Sequence, residues 1–273
     1  MDAERPGSPA SNPYLALTSE FNVGRLRALL SSGQAVVIHR LAVMSKDGDW
    51  ILREDDEALS HVRGVLAAHG AQYRFGAPLD LRWLRHGWSS HLEFRDHDVR
   101  LRTDFVTRPA RIDDAQLAGM WRDAERSGNP VVGAEPLASI KLTNREKDYA
   151  VVGELARLMT DPRAQLLFSR SSRDLIRIAG EHESLIAGLA PRRPLLRLVD
   201  RGREILDAAL DQERRELMRI NEVRLVRYRD AAAAWQQLWP SVARECDATP
   251  LPVAHAILVA RATGVLPEDP ARA

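Results

Sequence analysis

The chain has 273 residues, of which 45% are apolar and 28% charged, and its formal net charge is +1. Such a length holds one large domain or two modest ones around a buried core, and the even charge balance excludes the basic surplus that would draw nucleic acid or an anionic membrane nonspecifically. Cys246 is the single cysteine, which excludes a disulfide framework and a Cys-rich zinc site.

No apolar run approaches the roughly 18–20 residues of a membrane-spanning helix, and residues 1–12 lack the apolar core of a signal peptide. The expectation is a cytoplasmic protein without a membrane partner. Residues 1–12, rich in Pro, Gly, Ser and charge, read as a disordered tail. Leu26, Leu29 and Leu30 share one side of a helix predicted over 22–30 and closed by Gly33. The run Ala35–His39 is short, β-branched and apolar, which predicts a buried strand. A second short apolar stretch, Leu41–Met44, leads into Ser45-Lys46-Asp47-Gly48-Asp49-Trp50. Glu54, Asp55 and Asp56 then load the start of a helix whose inward face is Leu59, Val62, Leu66 and Ala67, with Gly70 at its end.

Residues 89–95 and 99–107 predict a hairpin around a three-residue loop, Asp96-His97-Asp98. In its second strand Val99, Leu101, Thr103, Phe105 and Thr107 share one face, and Arg100, Arg102, Asp104 and Val106 the other. A helix over 114–126 and a short strand at Val131-Val132 follow. A single longer helix is predicted from Pro136 to about Met159. Beyond Asp161 the pattern is helical throughout, over 174–189, 195–239 (one helix or two) and 252–263, with Pro162, Pro191, Pro194 and Pro240 as punctuation. The layout is α+β: a mixed sheet with flanking helices over 13–160, then an all-α helical domain over 161–273. Arg214, Arg215, Arg219, Arg224, Arg227 and Arg229 interleave with acids, as on a solvated bundle face; an RNA-facing groove is the alternative.

Lysine occurs only at Lys46, Lys141 and Lys147. All three lie beside candidate chemistry: the pair Asp47 and Asp49, and the stretch Lys141-Leu142-Thr143-Asn144-Arg145-Glu146-Lys147-Asp148. Aspartates at i and i+2 of a strand point to the same side, so Asp47 and Asp49 can bind metal together, with Asp104 from a neighbouring strand completing the set. Asp-Gly is equally a strong hairpin-turn signal, and under that reading both aspartates are solvated and free of ligand. Lys141, Arg145 and Asp148 fall at i, i+4 and i+7, on one face of the predicted helix.

These three pieces resemble the nucleotidyltransferase superfamily, in particular the minimal nucleotidyltransferase domains related to AbiEii-type toxins. The family runs an apolar strand into a Gly-Gly or Gly-Ser turn, then a Thr-x-Asp-x-Asp strand, a later strand with a third carboxylate, and a helix reading apolar-x-Lys, then Arg-x-Lys-Asp. The resemblance covers about residues 22–158. It implies transfer of a nucleoside monophosphate from a nucleoside triphosphate to a hydroxyl of RNA, protein or a small acceptor. Two Mg²⁺ ions, typically ~3.5–4 Å apart, would polarise the α-phosphate. Asp47, Asp49 and Asp104 would bind metal, Asp104 would also assist proton removal, and Lys46, Lys141, Arg145, Lys147 and Asp148 would form the nucleotide site. His39-Arg40 stand where the glycine pair should follow the first strand, and Gly48 replaces the apolar residue between the two carboxylates. Another registration places the glycine turn at Gly87-Trp88-Ser89-Ser90-His91. The contrasting expectation is a catalytically inactive module on the same fold, antitoxin-like or regulatory, meeting a protein partner through its helical domain.

Overall fold

The computed structural model describes residues 12–271; the predicted tail lies almost wholly outside them. The sheet domain begins with α1 (Pro13–Phe21), β1 (Ala28–Ser31), α2 (Ser32–Ile38), β2 (Asp47–Leu52), α3 (Asp56–Ala68) and β3 (Gln72–Tyr73). It continues with α4 (Leu81–Leu84), the hairpin β4 (Ser90–Asp96) and β5 (Val99–Val106), then α5 (Asp114–Ser127), α6 (Ala134–Lys141) and α7 (Glu146–Leu158). The helical region contains α8 (Pro162–Phe168), α9 (Ser172–Glu181), α10 (Ile186–Leu189), α11 (Arg203–Ala231), α12 (Ala233–Cys246) and α13 (Leu251–Ala262). The expected α+β class is what the chain adopts. None of the described helices is long and apolar enough to cross a membrane.

The strands form one mixed sheet in the order β1-β2-β5-β4-β3, with β2 and β5 parallel and the other pairs antiparallel. One face is buried and mostly apolar. Ala28, Leu30, Trp50, Leu52, Leu92, Leu101 and Phe105 pack there against Leu17 and Phe21 of α1 and Leu59, Val62 and Leu66 of α3. Trp50 and Phe105 are register partners on β2 and β5 and stack with centroids 5.5 Å apart. The Trp50 indole N–H donates to Thr18 Oγ1 at 2.8 Å, so its polar atom is satisfied inside the core.

The other face divides in two. Leu29 and Ile51 meet Ala35 and Val36 of α2, Met120 and Trp121 of α5, and Leu137, Val152 and Leu155 of α6 and α7. The starts of β2 and β5 and the adjoining part of β4 carry charged and polar side chains instead. The core crosses residue 160: Ala164 and Phe168 join α5–α7, while Trp83 and Trp88 pack with Trp235, Val242 and Leu258 from the C-terminal helices.

Four local expectations need correction. Residues 35–38 belong to a helix, α2, because Ala35 and Val36 are buried against the sheet and tertiary packing overrides β-branched propensity. The predicted 22–30 helix ends instead in strand β1, whose four residues are all buried, so no alternation marks it. The hairpin loop has two residues, His97 and Asp98, since Asp96 pairs with Val99. The single 136–159 helix is two, α6 and α7, broken where Thr143 Oγ1 accepts the Arg145 N–H at 3.1 Å and donates to Asp148 Oδ2 at 2.6 Å. In the helical region the long segment breaks at Ala232, and Pro240 lies inside α12.

Candidate active site

Asp47-Gly48-Asp49 is strand, not turn: it opens β2 and runs alongside Arg102-Thr103-Asp104 of β5, residue for residue. Asp49 and Asp104 are therefore neighbours on one rung, and Asp47 and Arg102 on another. The space above Gly48 is filled by the rings of Tyr14 and Trp50, which replace the apolar side chain expected between the carboxylates.

Burial is the main force on Asp49, and the carboxylates of Asp104 and Asp47 add to it; together they push its pKa up to about 7, against the pull of Lys141 and the Ser32 hydroxyl. Asp104 accepts at Oδ1 from His91 Nδ1 at 2.7 Å and from Arg74 Nη2 at 3.4 Å. Asp47 is half-buried. Its Oδ1 is enclosed without a hydrogen bond and lies 3.8 Å from Arg102 Nη1.

Opposite the strands stand the ends of α6 and α7. Lys141, the last residue of α6, is 6% exposed, and Asp148, in the first turn of α7, is 4% exposed. Their charged atoms lie 3.7 Å apart. Burial lowers the Lys141 pKa, and Asp148 opposes that shift. Arg145 Nε also donates to Asp148, at 2.9 Å. The predicted triad of Lys141, Arg145 and Asp148 thus converges although its helix is broken.

Asp47, Asp49, Asp104, Lys141, Arg145, Lys147 and Asp148 line a single cavity of about 470 Å³ together with Ser32 and Gly33. Lys46 is not in its lining; it is exposed in the loop before β2, where its carbonyl accepts from Tyr14 Oη at 2.8 Å. Among the described residues, no three carboxylate, imidazole or thiolate groups gather closely enough to hold a metal ion as the side chains stand. The donors nonetheless suit a hard cation: they are all oxygens, one is enclosed without a hydrogen bond, and the carboxylate charges crowd one another.

The sequence alone puts the turn after the first strand at His39-Arg40. Those residues follow α2, where His39 Nε2 lies 2.9 Å from Val132 O. β1 passes directly into α2 at Ser31-Ser32-Gly33. Ser32 has a φ of 49°, and a Cβ at Gly33 would stand 2.2 Å from Ser45 Oγ. The signal was visible as small residues between two apolar runs, Ala28–Leu30 and Ala35–Ile38. The partners of Asp104, His91 and Arg74, were not foreseen.

No family model matches this chain, and no curated protein matches it. A solved structure described as a "putative nucleotidyltransferase from H. pylori" aligns with 79% of this chain and 97% of that chain, at 12% identity and a TM-score of 0.37. An overlap that loose shows neither shared fold nor shared activity.

Proposed function

We propose that the cavity between β2, β5 and the α6–α7 corner is a nucleotidyl-transfer site that moves a nucleoside monophosphate from a nucleoside triphosphate onto a hydroxyl acceptor. The observation that carries this reading is the rung shared by Asp49 and Asp104, facing a buried lysine across one cavity. Carboxylates held side by side oppose each other's ionisation unless a cation joins them, and a buried ammonium nearby suits a polyphosphate.

In the reaction, the acceptor oxygen forms a bond to the α-phosphorus, the bond from that phosphorus to the bridging oxygen of the β-phosphate breaks, and pyrophosphate leaves. Lys141, Arg145 and Lys147 bind the triphosphate oxygens. Asp148 is a positioning residue, since it holds Lys141 and Arg145 in place. Asp49 and Asp104 would hold Mg²⁺, and Asp47 would join them by turning from Arg102. Bound there, the ion supplies Lewis-acid polarisation of the α-phosphate and lowers the acceptor's pKa. His91 and Arg74 both take Oδ1 of Asp104, which leaves Oδ2 to accept the acceptor's proton. The acceptor class stays RNA, protein or a small molecule.

The test is release of pyrophosphate from each of the four nucleoside triphosphates with Mg²⁺ and cell extract, for wild type and Asp49→Asn. Release by wild type alone supports the reading; equal release by both contradicts it. One feature favours a non-catalytic module: the carboxylates are not gathered into a three-ligand cluster. Calorimetry separates the two readings, because a module that has lost its site gives no heat with triphosphate and Mg²⁺ at millimolar concentration.

A further inference from the structure

Ser89, His91 and Asp104 form a line of hydrogen bonds across the polar part of the sheet. Ser89 Oγ lies 3.0 Å from His91 Nε2, and His91 Nδ1 lies 2.7 Å from Asp104 Oδ1. The strand register builds this line. His91 of β4 and Asp104 of β5 are direct cross-strand partners, and Ser89, two residues before His91, projects to the same side.

An ionised carboxylate only accepts hydrogen bonds, so the Asp104 contact places the imidazole proton on Nδ1 and leaves Nε2 as an acceptor. The Ser89 hydroxyl then donates to Nε2, which leaves its oxygen lone pairs free of that bond. The backbone holds both partners. A Cβ at Gly76 would come within 2.6 Å of His91 Cδ2, so a bare glycine makes room for the ring. Gly76 O accepts from the Trp235 indole at 2.9 Å, and the Ala77 N–H donates to Ser89 O at 3.0 Å.

Ser89 and His91 face a second cavity, of about 380 Å³, one strand over from the Lys141 cavity. Phe75, Tyr228 and Trp235 give it aromatic walls, and Arg224 and Arg229 give it positive charge. The Arg224 guanidinium lies 4.8 Å above the Tyr228 ring. These walls suit an aromatic base carrying phosphate.

We propose that Ser89 is an activated nucleophile that accepts a nucleotidyl group itself, giving a nucleotidyl-serine on the protein. The inference rests on the nucleotidyl-transfer reading above and names an acceptor for it. The Ser89 Oγ–phosphorus bond forms at the α-phosphate of a nucleoside triphosphate, the bond to the β-phosphate oxygen breaks, and pyrophosphate departs. With Ser89 as the acceptor the hydroxyl proton passes to His91 Nε2 in place of Asp104 Oδ2, so Asp104 stays ionised and balances the imidazolium.

The full chain is treated in parallel with a fluorophosphonate and with Mg²⁺ plus each nucleoside triphosphate, followed by intact mass measurement and peptide mapping. The fluorophosphonate needs neither nucleotide nor metal: serine oxygen bonds to phosphorus, fluoride leaves, and activation is read on its own. Both reagents are expected on Ser89. His91→Ala and His91→Gln should slow fluorophosphonate labelling by about 100-fold, the lower end of what a positioned base contributes, with unchanged circular dichroism. Asp49→Asn should lose the nucleotide label and keep the fluorophosphonate label. Absence of both labels from Ser89, or labelling that the His91 variants leave unchanged, overturns the inference. Pyrophosphate release with no nucleotide on Ser89 overturns it and leaves the nucleotidyl-transfer reading standing. No pyrophosphate release from the chain alone, with fluorophosphonate still on Ser89, overturns the nucleotidyl-serine; the nucleotidyl-transfer reading falls with it only if cell extract restores no release.

Discussion

Asp49 and Asp104 occupy the same rung of two parallel strands, and the next rung pairs Trp50 with Phe105 on the opposite face. The two carboxylates cannot slide apart without unstacking two fully buried rings, 1% and 0% exposed. The hydrophobic core thus fixes the spacing of the charged site. A one-residue slip of β2 would turn the aspartates into that core and the tryptophan out of it.

The crowding predicts a pH dependence. Asp49 is raised to about 7, mainly by burial, so the folded chain keeps a proton that the unfolded chain releases near its ordinary value of 3.8. The penalty for charging it is absent below about pH 4, grows as pH rises towards about 7 and is constant above that. Without divalent metal, the melting temperature should fall across this window. Asp49→Asn should flatten the slope and add on the order of 2 kcal/mol of stability above about pH 7, a value discounted from the full shift because solvent reaches the cavity side. Millimolar Mg²⁺ should also flatten the slope in wild type and leave the variant unchanged. Thermal melts against pH check both statements.

The α6–α7 corner gives opposite results for its two buried charges. Asp148→Ala leaves the Lys141 ammonium enclosed without its partner and frees Thr143 and Arg145, so it should cost about 3–5 kcal/mol in urea melts. Lys141→Met removes the buried cation and keeps the packing volume. Asp148 retains Arg145 and Thr143, so stability should change by less than about 1.5 kcal/mol. Triphosphate affinity should fall in both variants, which separates binding from folding.

Most of the site was legible because its signals are local. Asp47 and Asp49 have the period of a strand, Asp104 follows the alternation of β5, and scarce lysines mark the α6–α7 corner. The register that sets Asp49 beside Asp104 was not legible, because it depends on a parallel pairing across fifty-odd residues. Nor was β1: its residues are buried on both faces, so Leu26, Leu29 and Leu30 imitate a helical stripe. That error displaced the turn from Ser31-Ser32-Gly33 to His39-Arg40. The link from His91 to Asp104 was missed for a related reason. Asp96-His97-Asp98 has the look of a three-residue loop, one residue longer than the turn that forms, and loop length sets the cross-strand pairing of everything behind it.

Arg111 offers a test of how the helical region supports the site. Its partly exposed guanidinium donates to Ser139 O at 2.9 Å, Ile140 O at 2.5 Å and Asn221 Oδ1, tying the end of α6 to α11. Burial lowers its pKa to about 10, so it stays charged, and a cation at a helix C-terminus is favoured by the helix dipole. Arg111→Met should cost about 2–4 kcal/mol. It should also speed proteolysis at residues 142–145 and weaken triphosphate binding through Lys141. Limited proteolysis with mass mapping reads the first effect, and calorimetry the second.

The most direct test of the central claim is a crystal of the full chain grown with Mn²⁺ and a non-hydrolysable nucleoside triphosphate, read by anomalous scattering. The account predicts a manganese peak at the carboxylates of Asp49 and Asp104, with Asp47 turned from Arg102 and the triphosphate against Lys141 and Arg145. A well-ordered Asp49–Asp104 pair with no anomalous peak, or a triphosphate bound away from Lys141, would contradict it.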